Sequence, residues 1–294
     1  MKIKYLGIIL ISVIVLFAFI YCGISSSIKG VDGFGSALYF SIVTITTLGY
    51  GDMVPEDDFA RTMVCLEVIA GVVFVGAFLN SISQAQSQRI RFFNEKAKLR
   101  QNYLLLSKLF EKYLQAAFYV VTPVEKQELP ADILTYHFDF TFNDMADLNC
   151  NPRNMYPQSY YPAISIYFDI HDRLYQELRH TVDNLDLSYW PLLENDIHSY
   201  IQQCSDFTFK DSILSNTLIT PFVDPNQSMQ VIISKLIHDY VGDFSMDPND
   251  KITPYIALYN MLKENTTLVK QIAVEMAKES DGLSERIVFI DAKL

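Results

Sequence analysis

The stretch YLGIILISVIVLFAFIYCGI, residues 5 to 24, carries no charge over 20 residues. A helix of that length rises about 30 Å at ~1.5 Å per residue, the thickness of a bilayer's hydrocarbon core. A secretory signal peptide is the rival reading, since MKIK supplies a basic start, but its apolar region usually runs only about 7 to 15 residues. A second apolar run, TMVCLEVIAGVVFVGAFLNSIS at residues 62 to 83, is interrupted only by Glu67 and Asn80. Two such runs predict a chain that crosses a membrane twice, near 5–24 and 62–83. Arg89, Arg91, Lys96, Lys98 and Arg100 follow the second run, whereas Asp32, Asp52, Glu56, Asp57 and Asp58 lie between the two. Basic flanks stay inside, so both termini are expected in the cytoplasm, with the intervening loop outside and the plasma (inner) membrane as the site.

Charge and glycine divide the chain further. Residues 1 to 94 hold six Lys/Arg and six Asp/Glu, which leaves the formal net charge of -11 to the remainder. An acidic domain of this kind argues against nucleic acid as a partner. Of the eleven glycines only Gly242 and Gly282 lie beyond residue 76, so a phosphate-cradling loop or a dinucleotide fingerprint is excluded from the second part. Cys22, Cys65, Cys150 and Cys204 have no metal-ligand or disulfide spacing and read as reduced, small apolar side chains. No catalytic motif stands out, no cofactor is expected, and the chain does not read as an enzyme.

Between the spans stands GFGSALYFSIVTITTLGYGDMVP. Its apolar part, Phe34 to Thr46, covers about 20 Å as a helix, too short to cross the bilayer. A half-helix followed by irregular backbone at membrane depth is tolerated only where protein buries it or water bathes it. A row of carbonyls facing a dehydrated cation meets that requirement. It needs backbone alternating between right- and left-handed conformations, which glycine adopts at little cost. Gly49 and Gly51 flank Tyr50 for this reason.

TTLGYGD, residues 46 to 52, resembles the selectivity filter of potassium channels, whose usual form is threonine, an aliphatic residue, Gly-Tyr-Gly and aspartate. The order of span, pore helix, filter and span over residues 1–90 resembles the two-transmembrane bacterial class. The resemblance implies a homotetramer in a lipid bilayer, with K+ as the permeant ion and no cofactor. Thr47, Leu48, Gly49 and Tyr50 would present backbone carbonyls to K+, Gly51 would close the filter, and Thr47 would add its hydroxyl. Tyr39 and Phe40, where many members carry tryptophans, would support Tyr50 together with Asp52. Val43 occupies the place of a glutamate that partners this aspartate in some members.

Gly71 matches the family's inner-helix hinge, whereas Gly76 reads rather as a packing glycine. Glu67, one turn before Gly71, is expected to hydrogen-bond to backbone or hydroxyl groups behind the pore helix, with a gating role as the alternative. Gly71, Gly76 and Glu67 are thus the gating candidates.

Beyond Ser83 the pattern is helical to Val121. Leu99, Tyr103, Leu106, Phe110, Tyr113 and Ala117 form a heptad stripe, which fits equally a coiled coil between chains or the core of a globular domain. The expected organisation is a pore domain at 1–90 (pore helix 34–46, filter 47–51), a helical linker or coiled coil at 91–121, and a mainly helical acidic cytoplasmic domain at 122–294. Helical patterns cover roughly 163–182, 187–205, 227–240 and 254–279, and prolines mark 122–161 as a long loop. DPNDKITPYIAL, 247–258, starts like a calcium loop but has Ile252 and Leu258 where glycine and glutamate are required. His171, His180, His198 and His238 show no metal spacing.

The fold class is therefore an all-α membrane protein with two transmembrane helices, a re-entrant pore helix and a helical cytoplasmic domain. The expected function is passive, potassium-selective conduction through a tetrameric pore, gated by the inner helices and modulated by an unknown cytoplasmic ligand or protein. The alternatives are a membrane-anchored interaction or sensory module with a non-conducting pore, and a weakly selective cation channel.

Overall fold

The computed structural model describes residues 3–153, 161–216, 228–242, 244, 246–247 and 250–280. The chain forms two compact units, Met1–Phe92 and Phe93–Leu294. Among the described residues the secondary structure is almost wholly helical.

In the first unit, α1 spans Ile3–Gly23 and α2 spans Phe34–Ile45. α3 runs from Asp58 to Val121 without a break. α1 and the apolar part of α3 are each long and apolar enough to cross a membrane. α2 is not, at 12 residues. It starts where the Ser36 hydroxyl accepts from the amides of Asp32 and Gly33, at 2.9 and 3.1 Å, and donates to the Gly33 carbonyl. One serine thus satisfies amides at a helix start that lack intrahelical partners. β1 (Ile28–Lys29) and β2 (Val54–Pro55) pair antiparallel, with Ile28 opposite Pro55. The Glu56 amide adds a bond of 2.9 Å to the Ser27 carbonyl. This clip closes the base of the loop that carries α2 and residues 46–52.

The core of this unit is aromatic. Tyr21 of α1 and Phe40 of α2 meet edge-on at 5.0 Å within it, while Phe19 meets Phe34 at 4.9 Å on the exposed face. Ala37 and Ala60, both fully buried, let the helices approach.

α3 begins with a carboxylate cap. Asp57 Oδ1 accepts from the Ala60 amide at 2.7 Å. This bond, aided by the Ser27 hydroxyl, holds the Asp57 carboxyl below the usual carboxylate range. Its contribution is therefore complete above the ordinary aspartate pKa and is lost as pH falls through the lowered value. Asp57→Asn keeps a capping oxygen but removes the titration, so the acid side of the thermal stability curve should flatten in that variant. An acid limb identical to wild type would show that this cap does not set it.

The second unit uses the remainder of α3 as a core helix. Leu99, Phe110, Tyr113, Leu114 and Ala117 are fully buried, as nearly is Leu106, while Leu104 and Leu105 face outward. The heptad stripe is therefore occupied by the chain's own second unit. Segment 91–121, expected to be a linker or coiled coil, is helical and belongs from Phe93 onward to that unit. The reason is the breadth of the stripe: Leu114 and Phe118 extend it beyond a two-position seam into a face that needs several neighbours.

α4 (Ala163–Asn184), α5 (Pro191–Asp206) and α8 (Thr253–Glu279) supply the larger neighbours. The short α6 (Lys210–Ser215) packs on α4 and α8, and α5 packs on both α4 and α8. α7 (Met229–His238) rests on a 3₁₀ segment, Phe142–Asp147. The Asn143 amide donates to the carbonyls of Ile237, His238 and Tyr240, closing the C-terminus of α7.

Within the long loop expected at 122–161, the described residues are not merely connecting. Ile133, Phe140, Phe142, Met145 and Leu148 are buried, and Phe142 meets Tyr240 and Tyr259 edge-on at 5.2 and 5.8 Å. Prolines stop helices here, but the apolar residues between them anchor the segment into the core. At the centre of the unit, Tyr113 and Tyr167 share a buried hydroxyl contact of 2.9 Å. Burial pushes the nearby Cys204 thiol up to about 12, which leaves it an unreactive thiol at neutral pH.

Candidate functional site

The C-terminus of α2 folds the chain back on itself. The Thr47 amide bonds to the Thr44 carbonyl at 3.0 Å, and the amides of Leu48 and Gly49 both reach the Val43 carbonyl, at 3.0 and 3.4 Å. Three successive amides are thus fixed to the last turn of α2, and the first part of TTLGYGD is held as one piece with it.

From there the backbone alternates. Thr47 has φ 57°, Gly49 55° and Gly51 79°, each in the left-handed region. Leu48 and Tyr50 lie between them. Alternation of hand turns successive carbonyls to one side of the chain, a geometry that otherwise leaves polar backbone unsatisfied. Thr47 is the unexpected member. A β-branched residue at positive φ is strained by about 1–3 kcal/mol, and such strain persists only where the surroundings over-determine it. The three amide bonds into α2 do that here.

The side chains around this backbone divide into three groups. Leu48 and Tyr50 are 59% and 67% exposed on the single chain. The Tyr39 hydroxyl donates to Asp52 Oδ2 at 2.9 Å. Asp52 therefore has a phenol as its partner, where Val43 cannot serve. Phe40 turns the opposite way, buried against Tyr21 of α1. Of the two aromatic residues expected beside the filter, only Tyr39 reaches the Gly-Tyr-Gly-Asp end within one chain.

Glu67 is fully buried on α3. It accepts from the Tyr21 hydroxyl at 2.6 Å and hydrogen-bonds the Ser41 hydroxyl on α2. Ser41 Oγ also lies 3.1 Å from the Ile14 carbonyl of α1. Neither Tyr21 nor Ser41 is singled out by the sequence reasoning, although each is a polar side chain within an apolar helix. Gly71 sits against the end of α2: a Cβ there would fall 2.6 Å from the Ile45 carbonyl oxygen. Apart from its own stretch of helix, nothing on this chain lies within 4 Å of a Cβ position at Gly76.

Comparison with known proteins locates this arrangement. The pattern of a family described as "Ion channel" matches residues 7–88. The chain is similar to "Two pore potassium channel b" of Oryza sativa subsp. japonica, 57% identical over 44 residues, 15% of this chain and 13% of the relative. It is 38% identical over 77 residues to "Two-pore potassium channel 1" of Arabidopsis thaliana, 24% of this chain and 20% of the relative. "Probable potassium channel protein 2" of Methanocaldococcus jannaschii is 42% identical over 64 residues, 22% and 18% of the two chains. The chain thus spans a fifth or less of the length of these relatives. No solved structure matches it significantly. The chain is an integral membrane protein whose residues 7–88 match an ion-channel family and, over part of that segment, are similar to potassium channels.

Proposed function

We propose that four copies of the chain surround one pore and conduct potassium passively down its electrochemical gradient. The observation that carries this reading is the alternation of backbone hand at Thr47, Gly49 and Gly51, on a segment pinned to the pore helix. One such segment supplies a quarter of each ion site, so a ring of carbonyls requires four of them. Thr47, Leu48, Gly49 and Tyr50 supply the carbonyls, Thr47 adds its hydroxyl, and Asp52 with Tyr39 braces the outer end. K+ is the only ligand this function requires. Membership of the pore domain in a family with potassium-channel relatives supports potassium over sodium, as does Tyr50 between the two glycines.

In this reading the chain lies in the plasma (inner) membrane with both termini cytoplasmic, and residues 93–294 modulate the pore in response to a cytoplasmic ligand or protein. Movement of the inner helix, α3, opens and closes the path.

The test is potassium flux through purified protein in liposomes under a potassium gradient, with sodium and barium controls and a Gly49→Asp variant. Barium-blocked flux that favours potassium and vanishes in the variant is the expected result. If full-length protein is silent, removal of the chain after Ser87 tests for a closed gate. Silence from a correctly tetrameric truncation would overturn conduction in favour of a membrane-anchored interaction module. Equal potassium and sodium flux would leave a weakly selective cation pore.

A further inference from the structure

The backbone of residues 47–52 is held unevenly. Its first half is tied to α2 through the amides of Thr47, Leu48 and Gly49, whereas among the described residues the amides of Tyr50, Gly51 and Asp52 make no backbone hydrogen bond within the chain. The outer half is held from Asp52 onward. One oxygen of the Asp52 carboxylate accepts from the Tyr39 hydroxyl at 2.9 Å, and the other accepts from the Met53 amide at 3.2 Å. Met53 in turn lies against Gly30, in the turn that follows β1. A Cβ at residue 30 would fall 3.1 Å from Met53 Cγ and 3.4 Å from the Asp52 carbonyl oxygen. Gly30 is also left-handed, with φ 94°. The Val31 amide donates to the Ile28 carbonyl at 3.3 Å, which places Gly30 third in a four-residue turn, where a type II turn requires positive φ.

We propose that Gly30 and Met53 are positioning residues for the outer end of the ion filter: the turn after β1 seats Met53, and Met53 fixes the Asp52 carboxylate that Tyr39 holds from the other side. This rests on the channel reading above. The turn is a firm support, because Ile28 and Val31 on either side of it are buried in the core that holds Tyr21 and Phe40, and Ile28 is paired with Pro55. Met53 packs on the same core. A side chain at residue 30 has two ways to relieve its strain. It can return to negative φ, which breaks the bond from Val31 to Ile28 and lifts a buried residue, or it can keep the turn and push Met53 aside. Only Asp52 separates Met53 from Gly51, and the Met53 amide is bonded to the Asp52 carboxylate, so the displacement reaches the last carbonyls of the filter without slack.

Single-channel recording of the full-length tetramer in bilayers tests this. No current from the wild type or from its truncation after Ser87 would sink the channel reading itself and this proposal with it, whereas conduction by either lets the positioning claim stand or fall alone in the form that conducts. Gly30→Ala should lower the potassium-to-sodium permeability ratio by about tenfold, the factor that matches the strain of one left-handed L-residue. Met53→Ala removes the contact from the other side, leaves the turn untouched, and should lower the ratio as well. Because residues 30 and 53 touch, the double variant should lose less than the product of the two single losses. Lys29→Ala, in the same turn but exposed, should keep the wild-type ratio. Should Gly30→Ala fail to assemble, Met53→Ala compared with Lys29→Ala decides the question. A wild-type ratio in tetrameric Gly30→Ala or Met53→Ala overturns the proposal even where thermal stability falls, since the clip would then hold only the fold. Single losses that multiply in the double variant, or a ratio in Lys29→Ala that falls as far as in Met53→Ala, overturn it too.

Discussion

Gly51→Ala should abolish potassium flux while Gly33→Ala leaves it intact. The two glycines lie on the same loop, and an added Cβ meets nothing within 4 Å at either position. They differ in backbone. Gly33 has φ 177°, extended backbone that any residue adopts, whereas Gly51 has φ 79°. An L-residue held left-handed is destabilised by roughly 1–2 kcal/mol. In a ring of four the strain is repeated in the same layer, about 4–8 kcal/mol in all. Relaxing it means turning the peptide, and a turned peptide presents N–H where a carbonyl is needed. The loss should therefore be of conduction and not of assembly. Liposome flux with a parallel check of tetramer size measures both. Wild-type flux through tetrameric Gly51→Ala would mean that left-handed backbone at residue 51 is not what the ion path requires.

The pore end of the chain was legible because its chemistry leaves few choices. Twenty uncharged residues have one stable conformation in a bilayer, and a shorter apolar helix followed by Gly-Tyr-Gly has few settings in which its backbone is satisfied. The helices there are α1 at Ile3–Gly23 and α2 at Phe34–Ile45. Less was legible in the side chains. Left-handed backbone was expected at glycine, and Thr47 adopts it as well, because the bonds that force it come from α2 and have no local signature. Phe40 and Tyr39 are adjacent in sequence and chemically alike, yet a helical turn of about 100° sends one to Tyr21 and the other to Asp52. Which of the two faces the filter depends on how α2 is rotated against α1, and that is set by Ala37 and the aromatic contacts, not by any motif.

The second unit shows the opposite balance. Its helices follow the apolar periodicity closely, as at α4 and α8, because period 3.6 is a local property. Its tertiary arrangement is not local. The stripe on α3 offered two partners, another copy of itself or the following helices, and its breadth was the one local sign in favour of the latter. α6 went unrecognised because six residues are too few for a period to show. The segment at 122–153 misled for a related reason: prolines advertise a loop, while the burial of Ile133, Phe140 and Met145 depends on neighbours distant in sequence, such as Tyr259 beside Phe140 at 5.6 Å.

That core yields the second large expected effect. Phe110→Ala should destabilise the second unit by about 3–5 kcal/mol, the usual result of emptying a buried aromatic site. Phe110 is fully buried between Leu106 and Tyr113 on the same stripe, with no exposed edge over which the neighbours can collapse. For a unit of this size the midpoint of thermal unfolding should fall by about 10 °C. Leu105→Ala is the control, since Leu105 is 75% exposed and surface changes stay within about 0.5 kcal/mol. The chain has one tryptophan, and Trp190 is buried in the second unit, so its emission reports on this unit without interference from the pore. The same variant tests the regulatory role assigned to the unit. Near its lowered midpoint, the protein should keep wild-type potassium-to-sodium selectivity, because the filter is held by α1, α2 and the start of α3, but its open probability should change. Open probability that stays constant while Trp190 emission reports an unfolded unit would remove residues 93–294 from the control of the pore. A loss of selectivity over the same temperature range would instead mean that the filter draws on the second unit for its support, against the contacts at Ser41, Glu67 and Gly71.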